Sequence, residues 1–323
     1  MRKFFALFLV LLITAMPLCG CSKSNTAEKT VIRIAGLKGP TSMGMVRLMK
    51  DSESGETVNN YEFTLAGSAD EITPKLVQGE LDIAAVPANL ASVLYNNTEG
   101  QIKLLAVNTL GVIYIVERGD SIHSVSDLKG KTVYGSGKGS TPEYALRHIL
   151  EGNGMDPDKD VNIEWKSEHS EVLQMMINNE DSIGLLPQPF VTVARGQLDD
   201  LRIALDLTEE WNKLEEGSML ITGCLAVRKQ FADEYSDQIK SFLEEYRDSV
   251  RYVNENLKDA AQLIEEYDIV KAAIAEKAIP KCNIVCISGG DMMTPMKEYL
   301  KVLHDANPKS VGGKLPEEDF YIK

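Results

Sequence analysis

Two short stretches concentrate the residue types that can hold a small polar molecule. Lys38-Gly39-Pro40-Thr41-Ser42-Met43-Gly44 and Gly135-Ser136-Gly137-Lys138-Gly139-Ser140-Thr141-Pro142-Glu143 each combine glycines, hydroxyls and a lysine with a proline where a helix is expected to begin. The N–H groups of a first helical turn have no internal partners and carry partial positive charge, so such loops suit anionic or polar groups. Three further loops share this character: Gly67-Ser68-Ala69-Asp70-Glu71, with capping-box spacing from Ser68 to Glu71; Val86-Pro87-Ala88-Asn89; and Leu186-Pro187-Gln188-Pro189-Phe190. Ser140 and Glu143 have the same spacing, which predicts a second capping box with Pro142 in the first turn. Taken singly, each loop reads as a capped helix start. Their joint placement at strand ends is what points to binding.

The elements that must position these loops alternate. Apolar or alternating runs at 31–35, 61–65, 82–86, 102–107 and 112–116 predict strands, and helical patterns at 43–50, 69–78 and 88–95 lie between them. A second series follows, with strands at 132–134, 161–165 and 183–186 and helices at 141–151 and 171–178. This order implies open α/β sheets with helices on their faces, and in such sheets ligands collect outside the carboxyl ends of the strands. After Cys224-Leu225-Ala226-Val227 the pattern turns helical, at 231–256, 258–267, 270–277 and 291–304. These helices return to the first unit, so the chain crosses between two lobes twice, near 117–121 and 207–222. The expected organisation is lobe 1 over 31–118 and 212–323, with lobe 2 over 119–211.

Catalytic and nucleotide chemistry find little support. Gly135-x-Gly137-x-Gly139 lacks the dinucleotide spacing, and no P-loop ending in Gly-Lys-Ser/Thr is present. His123, His148, His169 and His304 are scattered, and there is no HExxH or Gly-x-Ser-x-Gly. No cofactor and no metal is expected, and the chain reads as a binding protein, not an enzyme. With 34 basic and 48 acidic residues the net charge is −14, which argues against nucleic-acid binding.

The first residues have the order of a secretory signal: Met1-Arg2-Lys3, then an apolar run from Phe4 to Ala15. Leu18-Cys19-Gly20-Cys21 resembles the bacterial lipobox, which implies a signal peptide over 1–20, lipidation of Cys21 and a polar tether over 21–30. The expected location is the extracytoplasmic face of the cell membrane, held by the lipid. Cys224, Cys282 and Cys286 remain, an odd number, and buried free thiols are the simpler reading.

The lipobox, "GPTSMG", "GSADEITPKLVQGELDIAAVPANLASVL", "GSGKGSTPEYALRHIL", "LLPQPF" and "GGKLPEEDFY" together resemble the substrate-binding lipoproteins of ABC transporters in the nitrate/sulfonate/taurine and thiamine-precursor group. The resemblance implies a type II periplasmic-binding-protein fold: two α/β lobes, a two-strand hinge and a ligand in the cleft between them. It implies partnership with a permease and an ATPase. Carried onto this chain, the family's ligand contacts fall on Thr41, Ser42, Met43, Ser68, Pro87, Asn89, Lys138, Ser140, Thr141, Gln188 and Thr222. Lys38 and Lys138 favour a small anion of the sulfonate, nitrate or taurine kind. Tyr61, Trp165, Phe190 and Trp211 keep open an aromatic ligand such as a thiamine pyrimidine precursor. The same fold also serves menaquinone-pathway enzymes, the remaining alternative.

Overall fold

The computed structural model describes residues 30–214 and 218–323. The signal peptide, Cys21 and most of the tether lie outside the described residues. Eleven strands form two sheets among the described residues. The first has the order β11 (Ile284–Ser288), β4 (Ile102–Leu110), β10 (Ile221–Arg228), β3 (Ile83–Pro87), β1 (Val31–Leu37), β2 (Asn60–Ala66). The second runs β7 (Asn162–Lys166), β6 (Thr132–Ser136), β8 (Ile183–Pro187), β5 (Ile113–Arg118), β9 (Leu201–Asp206).

Both sheets are covered on two faces, which is why their central strands read as apolar runs without alternation. In the first lobe, α1 (Pro40–Met43) and α2 (Val46–Glu53) follow β1, α3 (Ala69–Gln78) follows β2, and α4 (Ala88–Asn97) follows β3. In the second, α5 (Thr141–Gly152) follows β6, α6 (His169–Asn178) follows β7, and α7 (Phe190–Arg195) follows β8. After β9 come α8 (Leu207–Leu214) and, beyond β10, α9 (Lys229–Glu234), α10 (Ser236–Glu255), α11 (Leu257–Glu266), α12 (Ala272–Ala278) and α13 (Gly290–Ala306).

Strand Ile113–Arg118, which the sequence reading placed with the first lobe, pairs instead between β8 and β9 of the second sheet. The first crossing is therefore at Gly111-Val112, earlier than 117–121. Only tertiary pairing distinguishes this strand from β4, because both are continuous apolar runs. Four elements escape the sequence reading among the described residues: α7, β9, α8 and the edge strand β11.

Strand direction decides where the loops face. Strands β1, β2 and β3 are parallel, and β10 runs antiparallel to both β3 and β4, with Gly223 opposite Pro87 and Ile221 opposite Leu110. In the second sheet β6, β7 and β8 are parallel and Ile113 lies opposite Pro187. Both crossings thus join the sheets at the ends where the parallel strands finish. The carboxyl-end loops of the two lobes border one interlobe zone.

Candidate ligand-binding site

The β6 and β7 ends build a cavity bordering that zone. It holds about 400 Å³ and is lined by Ser136, Ser140, Ser167, His169 and Phe190 together with Gly137, Pro142, Glu168 and Ser170. Parallel pairing of β6 with β7 sets Ser136 opposite Lys166, and so carries Ser136 Oγ to His169 Nδ1 three residues further on. Phe190, the first residue of α7, packs its ring 4.8 Å from the His169 ring and supplies an apolar wall. Burial holds the His169 imidazole below its usual range, against the upward pull of Glu168.

Two helices begin here. Neither α5 nor α6 has a side-chain cap hydrogen bond at its N-terminus. The capping box expected from Ser140 to Glu143 does not form: Ser140 Oγ donates to Gly137 O at 2.6 Å, and Glu143 Oε2 accepts from Gly139 N at 2.6 Å. Gly137 sits at φ 86°, a left-handed conformation that closes the loop and that side-chain-bearing residues rarely adopt. The result is a loop folded on itself, with Ser140 and Pro142 at the start of α5 lining the cavity. By contrast, the box at Ser68 and Glu71 does form, with Glu71 Oε1 accepting from Ser68 N at 2.9 Å.

The residues singled out from the sequence divide among several environments. Ser140 lines the cavity, Lys138 is exposed on its loop, and Ser68 is exposed at the end of β2. Ser42 and Met43 are fully buried within the first lobe; the Ser42 hydroxyl occupies the space a side chain at Gly36 would fill and has no hydrogen-bond partner. Thr41 O accepts from Asn108 Nδ2 at 2.9 Å, and Gly223 lies so close that an added Cβ would stand 2.6 Å from Thr41 Cγ2. Pro87 ends β3, while Asn89 Nδ2 donates to Ser310 O at 3.0 Å. Thr141 Oγ1 meets Tyr299 OH at 2.9 Å, and Thr222 Oγ1 donates to Leu110 O at 2.5 Å. Gln188 is buried beside a different cavity. Lys38, read as an anion-attracting cation, is paired with Asp268 at 2.5 Å.

Sequence reasoning missed Ser136, Ser167 and His169 as members of one site. Their signal was present in the strand-to-helix position of Ser136 and of Ser167-Glu168-His169, but the pairing that unites them is long-range. Cys224, Cys282 and Cys286 are free; burial pushes the Cys286 thiol up to about 11 and Cys282 to about 12, so both stay protonated. Among the described residues no group of three or more His, Cys, Asp or Glu could hold a metal ion, and no helix is long and apolar enough to cross a membrane.

Comparison with known proteins places this geometry. No curated protein matches the chain in sequence. Solved structures match across nearly its whole length. An ABC transporter protein from Parabacteroides distasonis superposes with a TM-score of 0.77 at 22% identity, over 91% of this chain and 99% of that one. The periplasmic aliphatic sulphonate binding protein SsuA from Escherichia coli gives 0.72 at 14% identity, over 91% and 92%. The alkanesulfonate-binding protein SsuA from Xanthomonas axonopodis pv. citri, bound to MOPS, gives 0.64 at 12%, over 90% and 96%. These likenesses establish the periplasmic-binding-protein fold, two α/β lobes joined by two crossings, as the resemblance implied. The family described as "ABC transporter, phosphonate, periplasmic substrate-binding protein" matches residues 53–277, so the chain belongs to this family of ABC-importer substrate-binding proteins.

Proposed function

We propose that this protein captures a small organic anion with a sulfonate- or phosphonate-type head and presents it to an ABC permease. The observation that carries the reading is the convergence of two helix starts without side-chain caps, at Ser140–Pro142 and Glu168–His169, on one cavity that also holds Ser136 and Ser167. First-turn N–H groups, the Ser167 hydroxyl and the Ser136–His169 pair offer a tetrahedral oxyanion several donors at once. Phe190 provides a surface for a short apolar tail. Glu168, at the cavity wall, disfavours a second negative charge and favours a monoanion or an aminosulfonate. The family's description and the sulfonate ligands of the structural neighbours agree with this class.

In this reading the first-lobe loops at Thr41, Ser68, Pro87 and Asn89 close over the ligand from the other side, and closure about the crossings at Gly111-Val112 and 207–222 creates the form that the permease engages. Lipidated Cys21 and the 21–30 tether hold the protein at the extracytoplasmic membrane face.

Calorimetric titration with alkanesulfonates, taurine, alkylphosphonates, nitrate and thiamine pyrimidines tests the assignment. Binding of a sulfonate or phosphonate is expected, weakened about tenfold by Ser136→Ala, in line with loss of about 1.5 kcal/mol per hydrogen bond to a charged group. Binding of a pyrimidine with no response to any of the anions would overturn it.

A further inference from the structure

We infer that the protein carries a second anion site, on the flank of the lobe junction and separate from the Ser136–His169 cavity, that takes a divalent oxyanion of the phosphate or sulfate type. A cavity of about 330 Å³ lies between α7 and β9 of the second lobe and the α12 segment, which packs on the first-lobe helices. Its wall carries Gln188, Thr192 and Arg195 from one lobe and Lys277 and Lys281 from the other. Neither Arg195, Lys277 nor Lys281 makes an ion pair with any described carboxylate, although the chain as a whole is strongly acidic.

Gln188 supplies the independent sign of a missing ligand. Its side chain is 2% exposed, its Oε1 accepts from Thr192 Oγ1 at 2.8 Å, and its Nε2 has no hydrogen-bond partner. A buried amide N–H without a partner bears the full cost of its desolvation. With the Thr192 hydroxyl hydrogen already committed to Gln188, the side-chain polar groups that remain on the lining residues are an amide NH₂, a guanidinium and two ammonium groups. A wall this rich in donors calls for a ligand rich in acceptors. Guanidinium matches a tetrahedral oxyanion in fork geometry, and two flexible lysines neutralise the remaining charge.

The position gives the site a consequence. Tyr114 of β5 donates to the carbonyl of Lys281 at 2.9 Å, so the α12 end is already tied to the second sheet. An anion shared by Arg195 and the two lysines strengthens that tie and favours the arrangement in which the lobes meet. By linkage, it raises affinity for a ligand that selects the same arrangement, and that ligand raises affinity for the anion by the same factor.

The test is a titration of the full chain with inorganic phosphate at low ionic strength, read at the Gln188 side-chain amide by NMR. A saturable shift of that resonance is expected, weakened at least about tenfold in Lys277→Gln/Lys281→Gln and unchanged in Ser136→Ala/His169→Gln. The double lysine variant alters only exposed side chains, and Gln188→Leu, which removes the reporting amide and is followed by calorimetry instead, provides a second variant that should abolish binding at this site. No shift before general ionic screening sets in overturns the inference. So does a shift equal in the lysine variant and the parent, or phosphate binding lost only in the Ser136/His169 variant. The first two outcomes leave the main cavity's ligand untouched, and the third moves the phosphate into that cavity, so failure here is distinct from failure of the proposed function.

Discussion

At the scale of single residues the site turns on His169. Its imidazole is held below the usual histidine range by burial, so at a given pH the folded protein binds fewer protons here than the unfolded chain. Stability contributed by this group is therefore intact above the ordinary histidine pKa, near 6.5, and is lost progressively as pH falls below it. An anionic ligand beside the ring reverses the preference, because it favours the imidazolium. The expected outcome is that, as pH drops from about 7 to 5, the unliganded protein loses thermal stability while its affinity for a sulfonate or phosphonate rises, by up to about tenfold per unit of pKa change on binding. His169→Gln should flatten both trends, as melting curves and titrations across that window would reveal. This residue was illegible in the sequence for a specific reason. His169 stands 33 positions from Ser136, and only the parallel register of β6 on β7 makes them neighbours.

At the scale of elements, strand order in the first lobe is pinned by one carboxylate. Asp82, 1% exposed at the entry to β3, accepts from Arg33 of β1 at 2.9 and 2.8 Å and from Arg228 of β10 at 2.7 Å. Burial alone would raise the Asp82 carboxyl; the hydrogen bonds from the two guanidinium groups outweigh it and hold the group below the usual carboxylate range. Its stabilisation is thus present above about pH 4 and lost as pH falls through the lower folded value. Asp82→Asn should cost about 3 kcal/mol at neutral pH, because both arginines lose their buried partner, and denaturant unfolding would measure it. The variant should also lose this group's share of the acid sensitivity. Neither this cluster nor its strand order could be read from the chain, whereas the strand–loop–helix alternation could: α3 over 69–78 and β3 through β8 lie close to where periodicity puts them. The missed strands share a physical cause. Strands β9 and β11 are sheet edges with mostly half-buried residues, and β11 meets β4 in irregular register, so neither carries a run of the kind that marks a central strand.

At the scale of the whole molecule, one apolar cluster runs through both lobes, from Ala35 and Val86 through Ile113 to Leu185 and Trp211. Helix α13, which packs on the first lobe, reaches α5 of the second: Tyr299 OH meets Thr141 Oγ1 at 2.9 Å, its ring lies 5.9 Å from that of Trp211, and Asn307 Nδ2 donates to Tyr144 OH at 2.9 Å. Thr141 opens the same helix whose first turn faces the candidate cavity. The contact that joins the lobes is therefore built on the element that would hold the ligand, and binding and lobe closure act on one structural unit. A ligand that selects the joined arrangement gains or loses affinity with the population of that arrangement. Tyr299→Phe removes the bond to Thr141 while keeping the ring in its packing, at a cost of about 1 kcal/mol. If the lobes separate in the free protein, this variant should bind its anionic ligand roughly fivefold more weakly, with no ligand-contacting group altered. Small-angle scattering of the unliganded variant should show a larger radius of gyration, restored to the parent value on saturation with ligand. Unchanged affinity together with unchanged dimensions would mean that the two lobes form a fixed body and that ligand enters without their movement.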